Sequence, residues 1–175
     1  MQRALTALAL VAAQATDREA TFDGVHKVRY VELKSSGEAT LKLLDGKHRV
    51  VATLRVTELP NGSQEESVVG PTRFDSDQSY RIITNVDISV DDCLVRQPVP
   101  AIRGMSMPES AVLSAQKGGW NLEIYGGDNA EVYGITYTFD KHRILTRELG
   151  WGPGYSERTR YDIQVVPEIF PQQCT

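Results

Sequence analysis

Apolar and polar residues alternate with a period of two along most of this chain, the spacing of strands that bury one face. The clearest case runs from Trp120 to Phe139. Trp120, Leu122 and Ile124 alternate with Asn121, Glu123 and Tyr125, and Tyr133, Ile135, Tyr137 and Phe139 alternate with Val132, Gly134, Thr136 and Thr138. Between the two runs lie Gly126, Gly127, Asp128 and Asn129, residue types that tolerate positive φ or build side-chain turns. This stretch predicts a β-hairpin and is the most aromatic part of the sequence.

The same pattern recurs on both sides of it. Val25 to Lys34 is rich in β-branched residues. Ala39, Leu41 and Leu43 lead to the hairpin signal Asp45-Gly46, and Val50, Ala52, Leu54 and Val56 line one face of the return strand. Further on, Tyr80, Ile82, Val86, Ile88 and Val90 alternate with polar residues, and strands are predicted again over Arg143 to Leu149 and Tyr161 to Val166. Residues 109–116 fit either a short helix, with Ser106-Met107-Pro108-Glu109 as a capping box, or a strand. The strand is preferred, because a helix of two turns needs tertiary help to persist. Thr16 to Gly24 reads as a polar lead-in, and the GWGPGYSE segment from Gly150 as a glycine-rich loop.

About eight to ten short strands without long helical patterns between them predict an all-β fold. The two architectures that write this alternation are an antiparallel β-sandwich and an up-and-down β-barrel. A parallel α/β fold is excluded in practice, since its crossover helices have nowhere to sit. The predicted core is Ala52, Leu54, Val56, Ile82, Val86, Ile88, Leu122, Ile124, Ile135 and Ile163.

The first fifteen residues change the picture of where the chain works. Arg3, the apolar run ALTALALVAA and Ala13-Gln14-Ala15 form the three parts of a signal peptide, so residues 1–15 are expected to be removed and 16–175 to form a single β domain in the periplasm or outside the cell. The run is too short for a membrane span, which needs about 20 apolar residues. Losing the leader takes one Arg from the 19 basic residues and none of the 23 acidic ones. The resulting mild acidity is spread along the chain, which argues against a nucleic-acid footprint. In an oxidising compartment the two cysteines, Cys93 and Cys174, are expected to pair. Closing a loop of about 80 residues would contribute about 4 kcal/mol at most by the chain-entropy argument.

Signatures of chemistry are sparse. The sequence holds no nucleophile elbow, P-loop, dinucleotide fingerprint or zincin motif. His26, His48 and His142 are not at metal-ligand spacing, and no metal or cofactor is expected. Catalytic residues are unassigned, although Asp91, Asp92, Glu123, Glu131 and Glu148 are the acids nearest strand ends or aromatics. The candidate binding residues are Trp151 and Tyr155, two large aromatics in the glycine- and proline-rich segment, with Arg158 and Arg160 as hydrogen-bond donors. The competing reading of Trp151 is a plug folded back over one end of the core.

These features point to an exported, non-catalytic β domain that binds a small ligand or a protein partner. One alternative is a hydrolase of an envelope or extracellular polymer using a carboxylate pair. Another is an assembly protein that pairs through an edge strand, with Ser67-Val68-Val69 as the candidate edge. The face carrying Tyr133, Tyr137 and Phe139 separates two kinds of ligand site. A cavity behind it would suit an internal apolar ligand, whereas a filled core would leave recognition to the surface.

Overall fold

The computed structural model describes residues 18–22, 26–60, 80–95, 97, 105–127, 132–151 and 155–160. Their strands are β1 (Arg18–Phe22), β2 (His26–Glu32), β3 (Gly37–Asp45), β4 (His48–Leu59), β5 (Tyr80–Val90), β6 (Cys93–Leu94), β7 (Met105–Ser106), β8 (Pro108–Gln116), β9 (Gly119–Gly126), β10 (Tyr133–Phe139), β11 (Ile144–Trp151) and β12 (Tyr155–Arg160). They form two antiparallel sheets that do not close into a barrel, so of the two architectures the pattern allows the fold is sandwich-like.

The larger sheet has the order β1-β2-β8-β9-β10-β11-β12, and the smaller one β3-β4-β5-β6 with β7 also paired to β5. The chain therefore leaves the larger sheet after β2, builds the second layer from β3 to β7, and returns beside β2 as β8. Both layers turn one face inward. Buried Ala39, Leu41, Leu43, Val50, Ala52 and Leu54 come from the smaller sheet, and they share one continuous core with Leu122, Ile124, Ile135, Tyr137 and Phe139 from the larger. Nine of the ten predicted core residues are buried, and Ile163 lies outside the described residues.

β5 shows how register is adjusted. Its pairing with β4 shifts between Arg55 and Val56: Arg55 faces Asn85, but Val56 faces Ile83. Thr84 is the extra residue of a bulge, which rotates the strand locally so that consecutive Ile82 and Ile83 are both buried. Ile83 joins the main core, while Ile82 packs outside it, opposite Ser106 of β7.

The helix-or-strand choice at residues 109–116 resolves as strand β8, paired on both sides. Two expectations are corrected. The polar lead-in contains a strand, since Arg18 to Phe22 pair with Tyr30 to His26. Among the described residues it is an outermost strand with a neighbour on one side, and such a strand needs no clean alternation to stay in the ladder. The expected glycine-rich loop is also shorter. Gly150 and Trp151 complete β11 because β10 extends beside them, pairing Gly134 with Gly150 and Tyr133 with Trp151, and Tyr155 already opens β12. The segments 67–69 and 161–166, read from sequence as strands, and the residues of the leader lie outside the described residues.

The aromatic column of β10 is core. Tyr133, Tyr137 and Phe139 are each at most 1% exposed. Tyr133 places its hydroxyl deep inside, where it donates to the backbone carbonyl of Ser106 at 2.8 Å, and burial pushes its phenol well above the usual range. Gly126 makes room for this ring: a Cβ there would stand 2.5 Å from the Tyr133 hydroxyl and 2.6 Å from the Met107 carbonyl. A side chain at position 126 would push the tyrosine out of its hydrogen bond.

Candidate functional site

The registers sort the turns into two ends. Phe22 opposite His26, Gln116 opposite Gly119 and Phe139 opposite Ile144 put three turns of the larger sheet at one end. Asp45 opposite His48 and Val90 opposite Cys93 do the same for the smaller sheet. Trp120 joins the two, donating its indole N–H to Asp45 Oδ2 at 3.1 Å and meeting the His48 ring edge-on at 5.7 Å between centroids. The β9–β10 and β11–β12 connections lie at the opposite end, where Gly126 pairs with Tyr133 and Trp151 with Tyr155.

At the first end the β5–β6 turn is clamped to the start of β4. Asp91 and Asp92 occupy this two-residue turn with φ of 53° and 65°, the left-handed region that aspartate tolerates better than most residues. Asp91 Oδ2 lies 2.8 Å from His48 Nδ1, and its Oδ1 accepts the Arg49 backbone N–H at 3.0 Å. A carboxylate can only accept, so Nδ1 carries the proton of this hydrogen bond. The Asp91 N–H donates in turn to the Arg49 carbonyl at 2.8 Å, and Arg49 Nη1 reaches Asp92 Oδ1 at 2.8 Å. The His48 hydrogen bond, followed by the Arg49 N–H, holds the Asp91 carboxyl below its usual range.

A histidine oriented by a carboxylate is half of an acid–base device. Here each of the carboxylate's contacts fastens one turn to the neighbouring strand. A glycosidase acid needs a carboxyl whose pKa is raised, and Asp91 is shifted the other way. His142 lies exposed in the β10–β11 turn, where Asp140 caps the N–H groups of His142 and Arg143 at 2.7 and 2.9 Å. Among the described residues no three His, Cys, Asp or Glu side chains converge as metal ligands.

At the second end the four candidate binding residues separate. Trp151 and Tyr155 face each other in register as the last pair of the β11–β12 hairpin; their side chains lie outside the described residues. Strand alternation assigns positions 158 and 160 to the other face of the sheet from position 155. There Arg158 Nε binds Glu148 Oε1 at 3.0 Å across the ladder, with both side chains about half exposed, and exposed Arg160 stands opposite Thr146. Cys93 opens β6, directly after the clamped turn. Cys174 lies outside the described residues.

No family model, curated protein or solved structure matches this chain.

The geometry includes a surface feature that site-by-site reading of the sequence passes over. On the outer face of the larger sheet, Tyr125 stands opposite Gly134, Gly134 opposite Gly150, and Gly150 opposite Ser156, an aromatic beside a floor of two glycines. The next row down is Glu123, Thr136, Glu148 and Arg158. The Tyr125 ring lies over Gly134, whose Cβ, if it had one, would sit 3.4 Å from ring carbons Cδ1 and Cε1. Its hydroxyl donates to Glu123 Oε2, and burial together with that carboxylate pushes the phenol up to about 12. The residue is still 41% exposed. The signal was present in the sequence as a tyrosine and a glycine on the polar faces of successive strands, but only the register brings them together.

The clamp makes a prediction about pH. The folded-state pKa of Asp91 lies below the ordinary value of 3.8, so the stability it contributes is fully present above about pH 4 and is lost as pH falls through the folded value. Asp91→Asn should lower the melting temperature at neutral pH, and the gap to the parent should close on acidification below pH 4. Thermal melts across that range test this, and a gap that stayed constant or widened would show that the carboxylate contributes nothing through its charge.

Proposed function

We propose that this chain is an exported, non-catalytic β-sandwich domain that recognises a ligand or protein partner at its surface, in the periplasm or outside the cell. The observation that carries this reading is the packing of Tyr133, Tyr137 and Phe139. The side chains that would line an internal apolar site are consumed in the core instead. The pocket beside the β2–β3 connection, bounded by Leu33, Ser36, Gly37 and Val56, has a free volume of about 10 Å³, room for one water. Recognition by the outer surface is what remains to a sandwich of this kind, with loops and strand ends as its variable parts.

Within this proposal Trp151 and Tyr155 at the end of the β11–β12 hairpin are one contact region, and Arg158 and Arg160 serve the other face of the same hairpin. Cys93 and Cys174 are proposed to form a disulfide in the exported protein. Intact mass spectrometry of material collected from the periplasm or medium should show both thiols oxidised, and two free thiols would remove the disulfide from the account.

Native mass spectrometry of the same material, looking for a retained ligand or second chain, tests the proposal as a whole. Trp151→Ala then tests the place. A contact residue should weaken association by about 2 kcal/mol or more with little change in melting temperature. A loss of about 3 to 5 kcal/mol in stability, as for a truncated core Trp, would mean that Trp151 plugs the fold and would move the contact elsewhere.

A further inference from the structure

We infer that the outer face of the larger sheet around Tyr125 is a binding site for a neutral carbohydrate, in which a pyranose ring stacks on the exposed side of the tyrosine. The inference rests on the surface-recognition reading and goes beyond it, naming a ligand class and a place on the sheet face opposite to Trp151 and Tyr155. It stands on three features of the surface.

The first is the ring itself. Tyr125 is a large aromatic left 41% exposed on the outer face, among Asn121 and Glu123 of its own strand and Thr136 and Thr138 of β10. It is also held still: one side of the ring lies over Gly134 and the hydroxyl is tied to Glu123. An aromatic fixed at both ends presents its free face without losing rotamer entropy on binding, the property that makes tyrosine effective in recognition surfaces. The apolar C–H face of a pyranose is a flat surface of matching size and polarity.

The second feature is shape. Gly134 and Gly150 pair directly and leave the sheet without side chains in that row on the β10–β11 side of the tyrosine. With strands about 4.8 Å apart, the row from Tyr125 to Ser156 spans about 14 Å and holds a shallow trough between an aromatic and a hydroxyl. A sugar stacked on Tyr125 has room to lie down in this trough.

Charge is the third feature, and it selects the ligand. The adjoining row carries Glu123, Thr136, Glu148 and Arg158, two carboxylates against one guanidinium. Arg158 uses its Nε on Glu148 Oε1, and a guanidinium has four further N–H donors, while each carboxylate offers several lone pairs as acceptors. Hydroxyl groups, which both donate and accept, satisfy such a mixed row. Anionic sugars meet a net negative row, and apolar ligands would strip water from it without return.

The test is isothermal titration of the full mature chain with cellohexaose, maltohexaose and the N-acetylglucosamine hexamer, alongside a glycan array that includes uronic-acid and sialylated probes. The expected result is saturable binding of at least one neutral probe. Tyr125→Ala and Tyr125→Leu should each weaken it about tenfold or more, the change expected when a central aromatic contact is removed. Tyr125→Phe, which keeps the ring, should retain most of the affinity, and all three variants should melt close to the parent. Binding that ignores the Tyr125 variants, or that is confined to anionic probes, would overturn the inference. So would the absence of binding to every neutral probe at millimolar concentration. In that last case a partner retained in native mass spectrometry would leave surface recognition standing and remove only the carbohydrate.

Discussion

The constraint on which the rest of this structure depends is the requirement that two sheets bury one face each against the other. A strand's side chains alternate strictly, so committing one face to the core leaves every second residue on the outside. In β10 that commitment places Tyr133, Ile135, Tyr137 and Phe139 inward and leaves Gly134, Thr136 and Thr138 outward. The inward set fills the interior, and the outward set, with Tyr125 and Glu123 from β9, becomes the surface available for recognition. Fold and proposed function are thus two consequences of one register. Slipping β10 by one residue would bury the threonines and expose the aromatics.

Much of the fold was legible because alternation is a local signal. The faces of β4, β9 and β10 follow from sequence period alone, and so does the Asp45-Gly46 turn, where Gly46 adopts φ of 59°. What could not be read has physical causes. The choice of sandwich over barrel depends on whether the outermost strands meet, and alternation is the same in both. The strand β1 carries little periodicity because one neighbour suffices to hold it. The bulge at Thr84 reassigns Ile83 to the core, and a bulge becomes visible only when the partner strand is known.

The candidate surface was less legible, since it is assembled from different strands. His48 and Asp91 are 43 positions apart, and they meet because the β3–β4 and β5–β6 turns lie at one end of the same sheet. Arg158 was singled out for its proximity in sequence to Tyr155, but alternation separates the two, and Arg158 belongs instead with Glu148 and the Tyr125 surface. The sequence order of chemically interesting residues is a poor guide to their grouping in a meander. Cross-strand register is the better one.

The β10 aromatics are packed core and not the wall of a ligand cavity. Chemical denaturation of Tyr137→Ala tests it most directly. A ring at 1% exposure inside a filled interior should, when truncated, cost about 3 to 5 kcal/mol of unfolding free energy, as large aromatic deletions in cores do. A loss below about 1 kcal/mol, in a variant that folds normally, would mean that the ring borders empty space, and the case for recognition at the outer surface would fall with it.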